Sequence, residues 1–378
     1  MLGKTGAHRH TFARQLRICH TPWQEGLDAH PINHYPRLKQ KDALMTTKQL
    51  ISHANNFDLL RLTAAASVLL IHLHLHFLVP TGTVAPFGTM AEVVRNLYRF
   101  FPGVPVFFII SGFLITSSWL GRPDWRRYTR ARFLRIYPAY AVAALVCAAL
   151  LVASGFMPTL GWLLGQLSVF GYNTTPAALL PFGGEAPNGS LWTIPVEVSF
   201  YLLLPLLLSL RHAEKMVWLL LIISLGLNMN AFGNNAASST LAAMFCYFGV
   251  GIIARLNWAD IKGGFEGKAH WWTLAHVVNF LLIPHSHLVP AAAIPLVLSL
   301  TLAPMVISWA FSFRAASKVL CGVDLSYGLY LFHVPLIHTL RGAGAEGITG
   351  VILALGSSLL TALLSWYYVE KPALLRKT

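Results

Sequence analysis

The chain has 378 residues, of which 55% are hydrophobic and 11% charged. A soluble domain carries roughly 25% charged residues, so a water-soluble globule is excluded. The formal net charge is +14, but the basic residues fall in short connections between apolar runs, where positive charge orients a membrane protein. That placement argues against nucleic-acid binding.

The apolar blocks, such as LTAAASVLLI and WLLLIISLGL, do not alternate as barrel strands do. The fold class is therefore all-α, a polytopic membrane protein. Residues 1–50 are polar, rich in His, Lys and Arg, and lack the continuous apolar core of a signal peptide. They are expected to form a poorly ordered cytoplasmic extension ahead of a transmembrane domain at 51–378. About ten spans are predicted around an intramembrane cavity, near 57–79, 102–121, 136–155, 191–210, 216–231, 239–255, 271–283, 290–310, 325–340 and 347–368. The segment 159–172 is apolar but short, which suits a re-entrant or interfacial piece buried by protein.

The connection GRPDWRRYTRARFLR holds Arg122, Arg126, Arg127, Arg130, Arg132 and Arg135 and is expected to face the cytoplasm. Counting outward places RHAEK, RLNWADIKGGFEGK, SFRAASK and the tail EKPALLRKT on the same side. GNNAASS and the loop 173–190, nearly free of Lys and Arg, lie on the other. Both termini are then cytoplasmic. No internal repeat is visible, so an inverted-repeat transporter lacks its usual support. Cys19, Cys147, Cys246 and Cys321 show no metal or redox spacing and read as small buried hydrophobes.

The first span, FDLLRLTAAASVLLIHLHLHFLV, carries Arg61 and His72. Ionisable groups inside a span are costly and mark candidate functional sites. At about 100° per residue, their spacing is three turns plus roughly 20°, so both leave one helix face, about 16 Å apart along the axis. A cation near the inner surface and an imidazole near mid-membrane, both expected to line one common cavity, suit an anionic donor held at one level and proton transfer at the other. The structural alternatives are snorkelling for Arg61 and a helix-gluing hydrogen bond for His72. His72 and His76, at i and i+4, share a face as metal ligands do. No carboxylate or Cys partner lies in sequence reach, so no metal is expected there.

In the second span Ser111 and Gly112 form a small pair among bulky neighbours. They allow either close helix approach or a narrow point where a thin chain such as a pantetheine arm passes. Arg132 and Arg135 share a helical face and suit bidentate phosphate contact. A cluster that only sets topology is the alternative. Glu197 and His333 are each either a buried hydrogen-bonded strut or a group on the acceptor side.

Taken in order from about residue 55, several segments resemble the membrane acyltransferase 3 family, whose members include O-acetyltransferases of bacterial surface polysaccharides. They are the Arg-x10-His of Arg61 and His72, SGFLI at 111–115, RFLRIYP at 132–138, SLWTIPVEVSFYLLLP at 190–205, LSYGLYLFHVPL at 325–336 and YYVEKP at 367–372. The resemblance implies a ten-span enzyme that takes acyl-CoA, usually acetyl-CoA, from the cytoplasm as a donor substrate, with no permanently bound cofactor. It implies that Arg61 and His72 are needed for activity and that Arg132 and Arg135 help hold the donor. Two departures stand out. Val198 occupies a place where the family often has a second acid, and Asp58-Leu59-Leu60 replaces an Asp-Gly lead; both leave the acceptor open.

The expected reaction is acyl transfer to a hydroxyl of a cell-surface carbohydrate or lipid-linked glycan at a bacterial inner membrane. His72 would act as general base or as covalent acyl carrier. The other functional classes are a transporter or flippase with His72 and Glu197 as a proton relay, and a non-catalytic membrane scaffold.

Overall fold

The computed structural model describes residues 55–78, 88–153, 155–170, 187–231, 241–283, 289, 293–313, 320 and 322–376. The extension at 1–50, GNNAASS, Cys19, Cys321 and most of the loop 173–190 and of SFRAASK lie outside the described residues. Within them, every regular element is helical.

Helix α1 (Phe57–Leu73) buries Phe57, Leu60, Ala64, Val68 and, one step round, Ala65, Leu69 and Leu73. That three-and-four spacing forms a single packed stripe. Its end widens into a π turn, His74–Leu78. Helix α2 (Gly88–Phe100) leads into α3 (Gly103–Gly121). Where α1 and α3 cross, a Cβ on Gly103 would stand 2.2 Å from the Ala64 carbonyl, so only glycine permits that approach.

Helix α4 (Trp125–Ala153) follows, with Asp124 accepting from the Arg127 amide at 2.9 Å as its N-terminal cap. Helix α5 (Leu160–Leu167) starts where the Thr159 hydroxyl accepts from the Trp162 amide. It buries Trp162 and exposes Leu160 and Leu164, as a short one-sided piece does. A 3₁₀ turn, Gly189–Trp192, opens α6 (Thr193–Ser209). Then come α7 (Ala213–Ala231), α8 (Leu241–Leu256), α9 (Ala269–Leu282), α10 (Ile294–Ala310), α11 (Ser326–Gly342) and α12 (Gly347–Ser365). A π turn, Trp366–Glu370, and a last short helix, Lys371–Leu375, continue α12.

A helix stands in each of the ten ranges expected from the sequence. Five stretches among the described residues are long and apolar enough to cross a membrane: Phe57–Leu78, Glu92–Gly121, Trp125–Ala153, Gly189–Ser209 and Gly347–Leu375. A sixth arises if Leu241–Leu256 and Trp258–Gly264, bent by 78°, count as one span. Ten full crossings are therefore not what the described residues give. The arginine-rich connection is helical from Trp125 onward, as the first part of α4, so Arg132 and Arg135 stand three apart on a helix, as their expected shared face requires; the helix only begins earlier than the span expected from 136.

Pro335 sits inside α11. It has no amide hydrogen, so the Leu331 carbonyl one turn back loses its helical partner. Asn188 supplies the replacement: its side-chain amide donates to that carbonyl at 2.8 Å. Two sequence-distant segments are thereby joined, and the same junction carries the site.

Candidate active site

A cavity with about 60 Å³ open to the centres of water molecules lies between α1, α3, α4, α6 and α11. This is room for a few small groups. Its wall includes Arg61, Ser111, Arg132, Arg135, Glu197, Tyr201 and Tyr330, so five of the residues singled out from the sequence converge there.

Its acidic side chain is held from two helices. The Tyr201 hydroxyl donates to Glu197 from one turn along α6, and Ser111 Oγ on α3 donates to the same oxygen at 3.3 Å. Arg132 donates to Ser118 Oγ at 3.2 Å and lies over the rings of Tyr128 and Tyr201, 5.7 and 5.8 Å from their centroids. These aromatic faces stabilise a guanidinium that burial alone would penalise.

Arg61 and Arg135 meet at Asp324, on the turn before α11. Asp324 Oδ2 lies 2.5 Å from Arg135 Nη2 and 3.9 Å from Arg61 Nη1. Arg61 also lies 3.5 Å from Asp58, and Arg135 lies 3.5 Å from Glu370, which accepts from Ser365 Oγ at 2.9 Å. Burial pushes the Asp324 carboxyl up, but the Arg135 and Arg61 guanidiniums outweigh it and hold the group below the usual carboxylate range.

Farther along the same seam, His72 Nδ1 lies 2.7 Å from His333 Nε2. The ring planes are within 16° of parallel with centroids 4.9 Å apart, so the two rings meet edge to edge. His333 is fully buried, and its Nδ1 faces the carbonyls of Tyr330 and Leu329 at 2.8 and 3.1 Å. Carbonyls only accept, so His333 Nδ1 carries the hydrogen. With both rings neutral, His333 Nε2 accepts from His72 Nδ1, and His72 Nε2 is the nitrogen left to take a proton. The order carbonyl, buried imidazole, outer imidazole fixes both tautomers as a carboxylate does in a catalytic triad.

Arg61 contacts the turn before α11 and His72 contacts α11 itself, so both leave the side of α1 that packs on α11. The shared-face expectation agrees with this. The expectation of one common cavity does not, because Arg61 lines it and His72 does not. Tyr330 stands between the two levels. It lines the cavity, its carbonyl receives His333, and its hydroxyl donates to the Ser190 carbonyl at 2.5 Å.

Gly112 is also absent from the cavity wall. A Cβ there would meet the Phe248 carbonyl at 2.1 Å, and one on Gly251 would meet the Ile109 carbonyl at 2.3 Å. The pair lets α3 and α8 touch backbone to backbone, which is the close-approach reading of Gly112. His76 receives a hydrogen bond from Arg341 at 3.3 Å. Among the described residues no group of three or more His, Cys, Asp or Glu is placed to hold a metal.

Several participants were not singled out from the sequence: Asp324, Tyr201, Tyr330 and Glu370. Tyr201 had a readable signal, since it follows Glu197 at i+4 on a helix. Asp324 had a weaker one, an acid at the edge of an apolar run.

Residues 55–370 match the family described as an acyltransferase domain. Nodulation protein 10 of Rhizobium leguminosarum bv. viciae is 32% identical over 360 residues, covering 86% of this chain and 95% of that protein. The O-acetyl transferase of Shigella phage Sf6 is 26% identical over 186 residues, covering 45% of this chain and 50% of its own. O-acetyltransferase OatA of Staphylococcus aureus is 25% identical over 326 residues, covering 72% of this chain and 52% of its own length. No solved structure matches the chain.

Proposed function

The chain belongs to the acyltransferase domain family and is an integral membrane O-acyltransferase, and we propose that it moves an acetyl group from acetyl-CoA to a hydroxyl of a cell-surface carbohydrate or lipid-linked glycan. The reading places the enzyme in a bacterial inner membrane with both termini in the cytoplasm. Relatives named for O-acetyl transfer support the acetyl group. The arginine-rich cavity supports an anionic donor.

The observation that carries the chemistry is the His72–His333 pair. Donor phosphates would lie against Arg61, Arg132 and Arg135, where guanidiniums give bidentate contact. The acyl end would extend past Tyr330 toward His72. His72 Nε2 then takes the acceptor hydroxyl proton as the oxygen attacks the thioester carbonyl. The carbon–sulfur bond breaks, and the thiolate of CoA leaves with the proton that His72 Nε2 returns to it, so the imidazole ends neutral. His333 keeps His72 in the required tautomer throughout. Glu197, held by Tyr201 and Ser111, is placed to accept a hydrogen bond from a hydroxyl in the cavity.

Mass spectrometry of surface glycans from cells with and without the gene tests the reaction. Loss of an acetyl mass from one glycan class is the expected result, and an unchanged glycan profile would refute it. Purified protein given labelled acetyl-CoA tests the donor separately. A flippase would need no acetyl-CoA for its activity.

A further inference from the structure

Three guanidiniums gathered at one cavity repel each other strongly in a low dielectric unless anions stand among them. Asp324 divides its two oxygens between two tasks. Oδ1 is tied to its own segment, accepting from the Ser326 amide at 3.1 Å and the Ser326 hydroxyl at 2.5 Å. Oδ2 serves two other helices, receiving Arg135 of α4 and facing Arg61 of α1. The carboxylate is thus anchored on one side and bridges two cavity-lining cations on the other. Glu370, itself fixed by Ser365, takes the second arm of Arg135.

We propose that Asp324 is a positioning residue for the donor site, holding the Arg61 and Arg135 guanidiniums at the cavity wall so that a diphosphate group meets them already placed. This rests on the reading of acyl-CoA as donor. A guanidinium set in advance loses less freedom when its ligand arrives, so binding strengthens even though Asp324 adds a negative charge nearby. The two effects oppose each other, and the sign of the mutational effect separates them. If Asp324 acted only as a charge, removing it would tighten the binding of an anionic donor.

The experiment uses full-length protein in detergent, with acetyl-CoA and inorganic diphosphate as probes. Asp324→Asn keeps the size and the acceptor for Ser326 but removes the charge. It is expected to bind acetyl-CoA about tenfold more weakly, with the KM for acetyl-CoA rising more than kcat falls. Diphosphate should compete with acetyl-CoA in the wild type and compete less well in this variant. Asp324→Glu should recover part of the affinity. Ser326→Ala, which keeps every charge and the amide bond to Oδ1 and removes only the hydroxyl bond to it, should give a smaller change in the same direction, and it supplies the answer if Asp324→Asn does not fold. Unchanged or tighter acetyl-CoA binding in Asp324→Asn, or a loss confined to kcat, overturns the positioning role while leaving the donor reading intact. Wild-type protein that binds neither probe removes the donor reading and this proposal together.

Discussion

Two polar clusters lie along the seam between α1 and α11, and they achieve burial by opposite means. Around the turn before α11, full charges are set against full charges: Arg61 and Arg135 against Asp58, Asp324 and Glu370. Farther along, His72 of α1 and His333 of α11 have no ion pair between them. They rely on hydrogen bonds running from ring to ring to backbone carbonyl. The first arrangement is suited to keeping cations in a fixed place for an incoming anion. The second is suited to exchanging a proton, because an imidazole can both give and accept one. The difference suggests that binding and chemistry occupy separate levels of one helix pair.

The sharpest way to break that division is to remove its reactive end. His72→Ala should lower kcat for acyl transfer by about 10²–10⁴-fold, the span of a lost general base, while acetyl-CoA binding persists. Equal loss of binding would merge the two levels. His333→Phe keeps a flat aromatic ring, somewhat larger than the imidazole, but gives His72 Nδ1 nothing to donate to. It should reduce kcat about tenfold to a hundredfold through misaim, with KM for acetyl-CoA unchanged in steady-state assays. Arg61→Ala probes the other level and should act mainly on KM for acetyl-CoA, by about tenfold. A pure kcat effect would move Arg61 into the chemistry. The smallest functional change should come from Gly112→Ala. It forces α3 from α8 and should cost about 1–3 kcal/mol of stability, read as a lower melting temperature in detergent, with kcat per folded molecule preserved.

What could be read in advance follows from which interactions are local. The common direction of Arg61 and His72 depends only on helical periodicity, and both do reach toward α11. The partner of His72 is 261 residues away, so His333 could be noticed but not paired. Arg132 and Arg135 were expected to share a helical face, but ahead of the third span and not as part of it, because charge usually marks a connection. Tyrosine faces and remote carboxylates cover them, and the helix runs through. Gly112 carried a signal for close approach, and the neighbour it approaches, α8, was invisible in sequence. Helix α2, with Glu92, Arg95 and Arg99 among apolar residues, was not expected, because its apolar content falls short of a span.

The amide that Asn188 lends to α11 reaches it from 143 residues earlier in the chain. The helical turn that aims His333 is therefore incomplete on its own and is finished by a splint from outside. Displacing the 3₁₀ segment beside Asn188 takes the donor from the Leu331 carbonyl, two residues before the imidazole that segment never touches.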